Sequence, residues 1–102
     1  MRHTKNMVYN ETTESRELFC YAINHGDIYR SMTRPVIDSM KKKAKKGIYD
    51  KEKAVDAYYN VATAASNQYF KDFGYRFSVA DRYTAAVDMV DYYEEETHEY
   101  NS

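Results

Sequence analysis

Two sets of residues in this 102-residue chain have types and spacings that can do chemistry, and they carry opposite charge. The first is acidic and aromatic. Asp88, Asp91, Glu94, Glu95, Glu96 and Glu99 crowd the carboxyl end, with Tyr92, Tyr93 and Tyr100 interleaved. Asp88 with Asp91, and Asp91 with Glu95, stand one helical turn apart, the spacing at which two carboxylates can share a divalent cation. A solvated acidic helix face accounts for them equally well, and no calcium-loop pattern supports a metal site. The tyrosines give the set a different use. On a helical projection Tyr92 lies opposite the apolar face, and Tyr59, flanked a turn away by Asp56 and Thr63, lies off the apolar stripe of its own segment. A large, rigid ring held at the surface beside charge is the composition of a protein–protein hot spot. The expected protein-binding residues are therefore Tyr59, Asp88, Asp91, Tyr92, Glu95, Glu96 and Tyr100.

The second set is basic. Lys41, Lys42, Lys43, Lys45 and Lys46 fall within six residues, and Arg30 and Arg34 stand in the preceding turns, about three and two turns before Lys41. Such a patch would neutralise phosphates with a steep salt dependence, so it defines an alternative in which the chain binds nucleic acid. Against that alternative, the acidic carboxyl half would repel a phosphate backbone unless turned away. The outward Asn60 and Asn67 lack the arginines that base readout favours.

Conventional catalysis finds little to use. His3, His25 and His98 are scattered, with no pair at metal-ligand spacing on one helix face. His25, next to Gly26, reads as a helix-end residue rather than a general base. Cys20, the one cysteine, sits in the apolar run Leu18–Ile23 and reads as a partly buried thiol in a reducing compartment. The three glycines, Gly26, Gly47 and Gly74, are isolated, so no phosphate-cradling loop is present. No catalytic residue, metal ligand or cofactor is expected, and the chain is not expected to be an enzyme. No apolar run has the length of a membrane span, and the amino terminus lacks a signal-peptide pattern. The expected location is therefore cytoplasmic.

The elements that must position these groups are helical. Leu18, Phe19, Ala22 and Ile23 share one face of a predicted helix over about 13–25, stopped at Gly26. Asp27 begins a short helical turn containing Ile28 and Met32. Thr33-Arg34-Pro35 then reads as a cap and first turn for a helix over about 34–46, with Val36, Ile37, Met40 and Ala44 on one side. Its lysine-rich end and Gly47 are a compatible stop. Asp50 caps the longest helix, about 51–72, whose stripe runs Ala54, Tyr58, Val61, Ala62, Ala65 and Tyr69. Ser78 caps the last, about 79–96, with Val79, Tyr83, Ala86, Val87 and Val90 inward. Three glutamates at its end oppose the helix dipole, so that turn should fray unless basic groups meet it.

The expected fold is all-α: a compact bundle of four main helical segments plus one short helical turn. It spans 13–96, between a flexible arm at 1–12 and a tail at 97–102. Composition shapes the interior. One Leu, four Ile, seven Val and four Phe are few for a core, while Tyr numbers twelve and Ala ten, so tyrosine and alanine must do much of the packing. Net charge is −1, but residues 1–53 sum to +5 and residues 54–102 to −6. A small core and an alanine-rich stripe on the long helix also make a homodimer an expected state.

Several spaced residues carry a resemblance. They are Gly26-Asp27-Ile28-Tyr29-Arg30, Pro35, Gly47-Ile48-Tyr49-Asp50, Lys53-Ala54-Val55, Ala65, Tyr69, Phe73-Gly74, and Phe77-Ser78 with Arg82, Ala85 and Ala86. Over about 14–96 they resemble small uncharacterised proteins of bacteriophages and other mobile elements. The resemblance implies an accessory or inhibitory protein that binds a host enzyme, such as a nucleic-acid-handling or defence factor, in the host cytoplasm. It carries over no functional residue, and the lysine run departs from a wholly acidic mimic of DNA.

Overall fold

The computed structural model describes residues 6–98. Among them every regular element is helical. They are α1 (Thr13–Asn24), α2 (Gly26–Ile28), a π-helical turn (Tyr29–Thr33), α3 (Arg34–Lys45), α4 (Lys51–Phe73), α5 (Val79–Tyr92) and α6 (Glu94–Thr97). The expected all-α bundle is therefore the architecture, with boundaries close to those predicted.

Each start has a local cause. The Thr12 hydroxyl accepts from Ser15 N–H while the Ser15 hydroxyl accepts from Thr12 N–H, a reciprocal capping box opening α1. Asp50 and Ser78 accept from Glu52 N–H and Asp81 N–H to open α4 and α5. At the end of α3, Gly47 takes the left-handed conformation, φ 76°, and the N–H groups of Gly47 and Ile48 donate to the carbonyls of Ala44 and Lys43. That is the Schellman arrangement, which satisfies two of the helix's orphan carbonyls.

The stretch between α1 and α3 departs from expectation. His25 (φ −89°, ψ 107°) closes α1 as its C-cap, as expected, and its Nδ1 also accepts from Ile28 N–H at 3.3 Å, so the same residue caps α2. Thr33 has helical dihedrals, is fully buried and caps nothing. Helical backbone instead continues through Tyr29–Thr33 in a wide turn, where Arg34 N–H donates to the Tyr29 carbonyl. Pro35 follows immediately. Its ring has no N–H to give and collides with a tight preceding turn, so a wide turn relieves both.

Helices α1, α4 and α5 pack around a common core, and α3 closes it from beside α4, α6 and the π turn. Leu18, Ile37, Val61, Ala54, Ala62, Ala65, Ala85, Ala86 and Met89 are fully buried. The alanine stripe of α4 is thus spent within the monomer, where short side chains let α4 and α5 approach. It offers no free face for a second copy. Tyrosine does fill the core, as composition requires: Tyr58 is 1 % exposed and stacks on Tyr93 with ring centroids 5.8 Å apart and planes 11° apart.

The segment 7–12 lies along α5. Tyr9 Oη donates to Asp88 Oδ1 (2.8 Å), Asn10 N–H to Thr84 Oγ1 (3.0 Å) and Thr12 Oγ1 to Asp81 Oδ1 (2.7 Å), while half-buried Met7 packs against the core. Two expectations of burial fail: Cys20, expected partly buried, is exposed on α1, and Val79, expected inward, is exposed in the first turn of α5.

Candidate protein-binding groove

The acidic, tyrosine-rich set divides once folded. Tyr92, Glu95 and Glu96 come together. The backbone leaves helical geometry at Tyr93 (φ −98°, ψ 7°), which separates α6 from α5, and α6 packs against α3. The result is a shallow groove of about 430 Å³ lined by Ile23, Tyr29, Tyr92, Tyr93, Glu95 and Glu96.

Tyr92 is the projecting member, 59 % exposed. It is also braced, with its ring meeting Phe19 edge-on at 5.5 Å and Tyr93 at 4.9 Å. A ring fixed in place yet open to solvent loses little freedom when a partner covers it. Tyr93 forms the buried floor, and burial pushes its phenol up to about 12. Glu96 accepts from Arg34 Nη1 at 2.8 Å, and Arg34 also approaches the Tyr29 hydroxyl (3.4 Å) and Asp38 (3.3 Å). Glu95 is exposed and has no ion pair among the described residues.

The acidic carboxyl end is not left to oppose its helix dipole unaided. Arg34 meets Glu96, Lys51 meets Asp91 at 3.1 Å, His98 Nε2 lies 3.3 Å from Glu94, and Tyr49 Oη donates to Glu94 (3.3 Å). Folding thereby places the positive and negative halves of the chain side by side.

Other members of the expected surface lie elsewhere. Tyr59 is 9 % exposed, because α5 covers that side of α4 and Arg82 lies 5.7 Å above its ring. It belongs to the core and not to a binding face. Asp88 is 12 % exposed at its side chain, under Tyr9 and 3.9 Å from Arg16, so it anchors the segment 7–12. Burial raises its pKa against the opposing effect of the Tyr9 hydrogen bond. Asp91 is exposed but turned to Lys51. Tyr100 lies outside the described residues.

The basic set also divides. Arg30 pairs with Asp27, and Arg34 is held by Glu96 and Asp38, so both arginines face carboxylates of this chain. Lys41 lies seven residues beyond Arg34, about 10 Å along the helix at 1.5 Å per residue. The arginines and lysines therefore form no single anion corner. Lys42, Lys45 and Lys46 are exposed, and no ion pair among the described residues engages the run Lys41–Lys46.

Ile23 and Tyr29 were not among the residues expected here. The wide turn before Pro35 carries Tyr29 to the groove, and a helical projection of separate segments has no term for that. Among the described residues, no group of three or more His, Cys, Asp or Glu side chains converges as a metal site would. No described helix is long and apolar enough to cross a membrane.

The chain matches no family model, no curated protein and no solved structure. The groove must be interpreted from its own chemistry.

Proposed function

We propose that this protein works by binding another protein through the groove at the α5–α6 joint. Tyr92 is the anchor and Glu95 and Glu96 supply the acidic rim. The observation that carries the reading is the state of Tyr92, more than half exposed yet braced by two aromatic neighbours beside carboxylates. Aromatic anchors with charged rims concentrate binding energy and steer association toward a surface of opposite sign. The partner surface is accordingly basic, with an apolar recess for the ring. In keeping with the sequence resemblance, the protein is an accessory or inhibitory factor of a phage or mobile element, acting in the host cytoplasm. Its target is a host enzyme such as a nucleic-acid-handling or defence factor, whose cationic groove is a surface of this kind.

Affinity capture from bacterial lysate tests the reading, comparing the protein with a Tyr92→Ala/Glu95→Gln/Glu96→Gln variant of unchanged helicity. A partner retained by the first and lost by the second is the expected result. Capture that survives the triple change places the interface elsewhere.

The exposed, unengaged Lys42, Lys45 and Lys46 favour one second reading, an accessory protein that binds nucleic acid through the end of α3. Anisotropy with duplex and single-stranded DNA and RNA decides it. Absence of binding at low salt rejects it, because phosphate contacts are strongest there.

A further inference from the structure

A second surface, at the other end of α4, has a chemistry of its own. The carboxyl end of α4 and the connector to α5 gather Tyr69, Phe70, Phe73, Tyr75 and Phe77, and Phe73 is 66 % exposed. Three of these rings are nearly perpendicular to one another. Tyr69 and Tyr75 meet at 81° (centroids 6.5 Å apart), Tyr69 and Phe77 at 67° (4.9 Å), and Tyr75 and Phe77 at 77° (4.9 Å). Rings at such angles pack edge against face; Phe77, 6 % exposed, is the floor of a corner, and Tyr69 and Tyr75, the latter 45 % exposed, are its aromatic sides. The corner is part of a cleft of about 250 Å³ whose remaining lining is Thr13, Glu14 and Glu17 from the first turns of α1.

The corner is fixed from behind. Tyr21 packs edge-on against Tyr69 at 5.0 Å and donates its hydroxyl to Asp72 at 2.8 Å, while Phe73 lies 4.6 Å from the same Tyr69 ring. Glu14 and Glu17 are exposed and form no ion pair among the described residues. Arg76, the cation nearest in sequence to the corner, is already stacked on Phe70 at 3.8 Å. Aromatic faces present negative potential, and two unpaired carboxylates across the same cleft add to it. No cation lines the cleft: its groups are aromatic rings, the hydroxyls of Thr13, Tyr69 and Tyr75, and two carboxylates.

We propose that this cleft binds the ammonium group of a lysine side chain on a partner polypeptide, with Tyr69 and Tyr75 as its aromatic sides over the Phe77 floor and Glu14 and Glu17 as counter-charge. The apolar lysine stem lies along the rings. A compact, tetrahedral cation suits a narrow aromatic corner with carboxylates opposite, whereas a planar guanidinium is best satisfied by one open ring face or a carboxylate fork. The carboxylates favour an ammonium that keeps its N–H donors over a fully methylated one. The site does not depend on the groove at Tyr92, so either can fail without the other.

The test is an NMR titration of the whole ¹⁵N-labelled protein with the peptide acetyl-Gly-Lys-Gly-amide and with its norleucine, arginine and trimethyl-lysine counterparts. The lysine peptide is expected to shift amides confined to 13–17 and 69–77, and the norleucine peptide to bind at least about fivefold more weakly, the scale of one exposed cation–π contact with its counter-charge. Glu17→Gln, an exposed change that leaves the fold intact, is expected to weaken the lysine peptide about threefold, and Tyr75→Ala about fivefold. Tyr92→Ala should leave the titration unchanged. Equal binding of norleucine overturns the proposal by making the cleft merely apolar, as do shifts outside these segments or none at all. Tighter binding of the arginine or trimethyl-lysine peptide overturns the assignment to a lysine ammonium.

Discussion

Tyr58 offers a stability test whose sign can be worked out in advance. Its side chain is 1 % exposed, and its hydroxyl has no hydrogen-bond partner among the described residues. Burial, reinforced by Tyr93, pushes its phenol well above the ordinary tyrosine range, so it is a neutral group held away from water. Leaving a buried hydroxyl unpaired costs about 1–3 kcal/mol. Tyr58→Phe removes that cost and keeps the ring and its stack on Tyr93. It forfeits the oxygen's dispersion contacts, at about 0.1–0.2 kcal/mol each and in total under about 1 kcal/mol. The balance is a gain of about 1 kcal/mol, which in a domain of this size raises Tm by about 4 °C or slightly more. Urea unfolding followed by circular dichroism should show a higher midpoint with an unchanged slope. Tyr58→Ala, which empties the site, should instead cost about 3–5 kcal/mol. If Tyr58→Phe lowers stability by 1 kcal/mol or more, the hydroxyl is satisfied and the packing described around Tyr93 is wrong.

Three further outcomes follow from the same geometry. Gly74→Ala places a Cβ at φ 76° in open space, so it meets backbone strain alone and should lower stability by about 1 kcal/mol in a chemical melt. Thr12→Ala removes both the α1 cap and the bond to Asp81; a loss of about 1–2 kcal/mol, with faster hydrogen exchange at Asn10 and Ser15, is expected. Tyr21, Tyr49 and Tyr93 are each pushed up from 10.0 to about 12, first by burial. Since the folded values lie above the unfolded one, the stability these groups contribute is complete below pH 10. It is lost as pH rises toward 12, and alkaline unfolding midpoints should fall across that interval.

How much of this was legible before folding depended on the range of the interaction. Asp50, Ser78, Gly47 and Gly74 act on residues within one turn of themselves, so those helix ends could be placed from the sequence, whereas the Thr12 capping box went unread. Leu18, Ile37 and the alanines of α4 follow a period that projection captures. Thr33 was misjudged because Pro35 forces a wide turn, which converts an apparent cap into a buried helical residue and carries Tyr29 to the groove. Tyr59 and Asp88 failed for a different reason. A residue off its helix's main stripe is still buried when a third element covers it, and α5 and the segment 7–12 do so here. The aromatic corner at Tyr69, Tyr75 and Phe77 depends on a connector conformation that no periodicity encodes.

If the groove is where this protein binds its target, a partner protein lands on Tyr92. The most direct measurement of that contact is site-specific photo-crosslinking in bacterial lysate, with a benzophenone side chain placed at position 92 in one preparation and at the exposed position 60 of α4 in another. A discrete crosslinked protein is expected from position 92, competed away by excess unlabelled protein but not by the Tyr92→Ala/Glu95→Gln/Glu96→Gln variant, and none from position 60. Equal crosslinking from both positions, or competition by the variant as effective as by the native protein, would contradict binding at the groove.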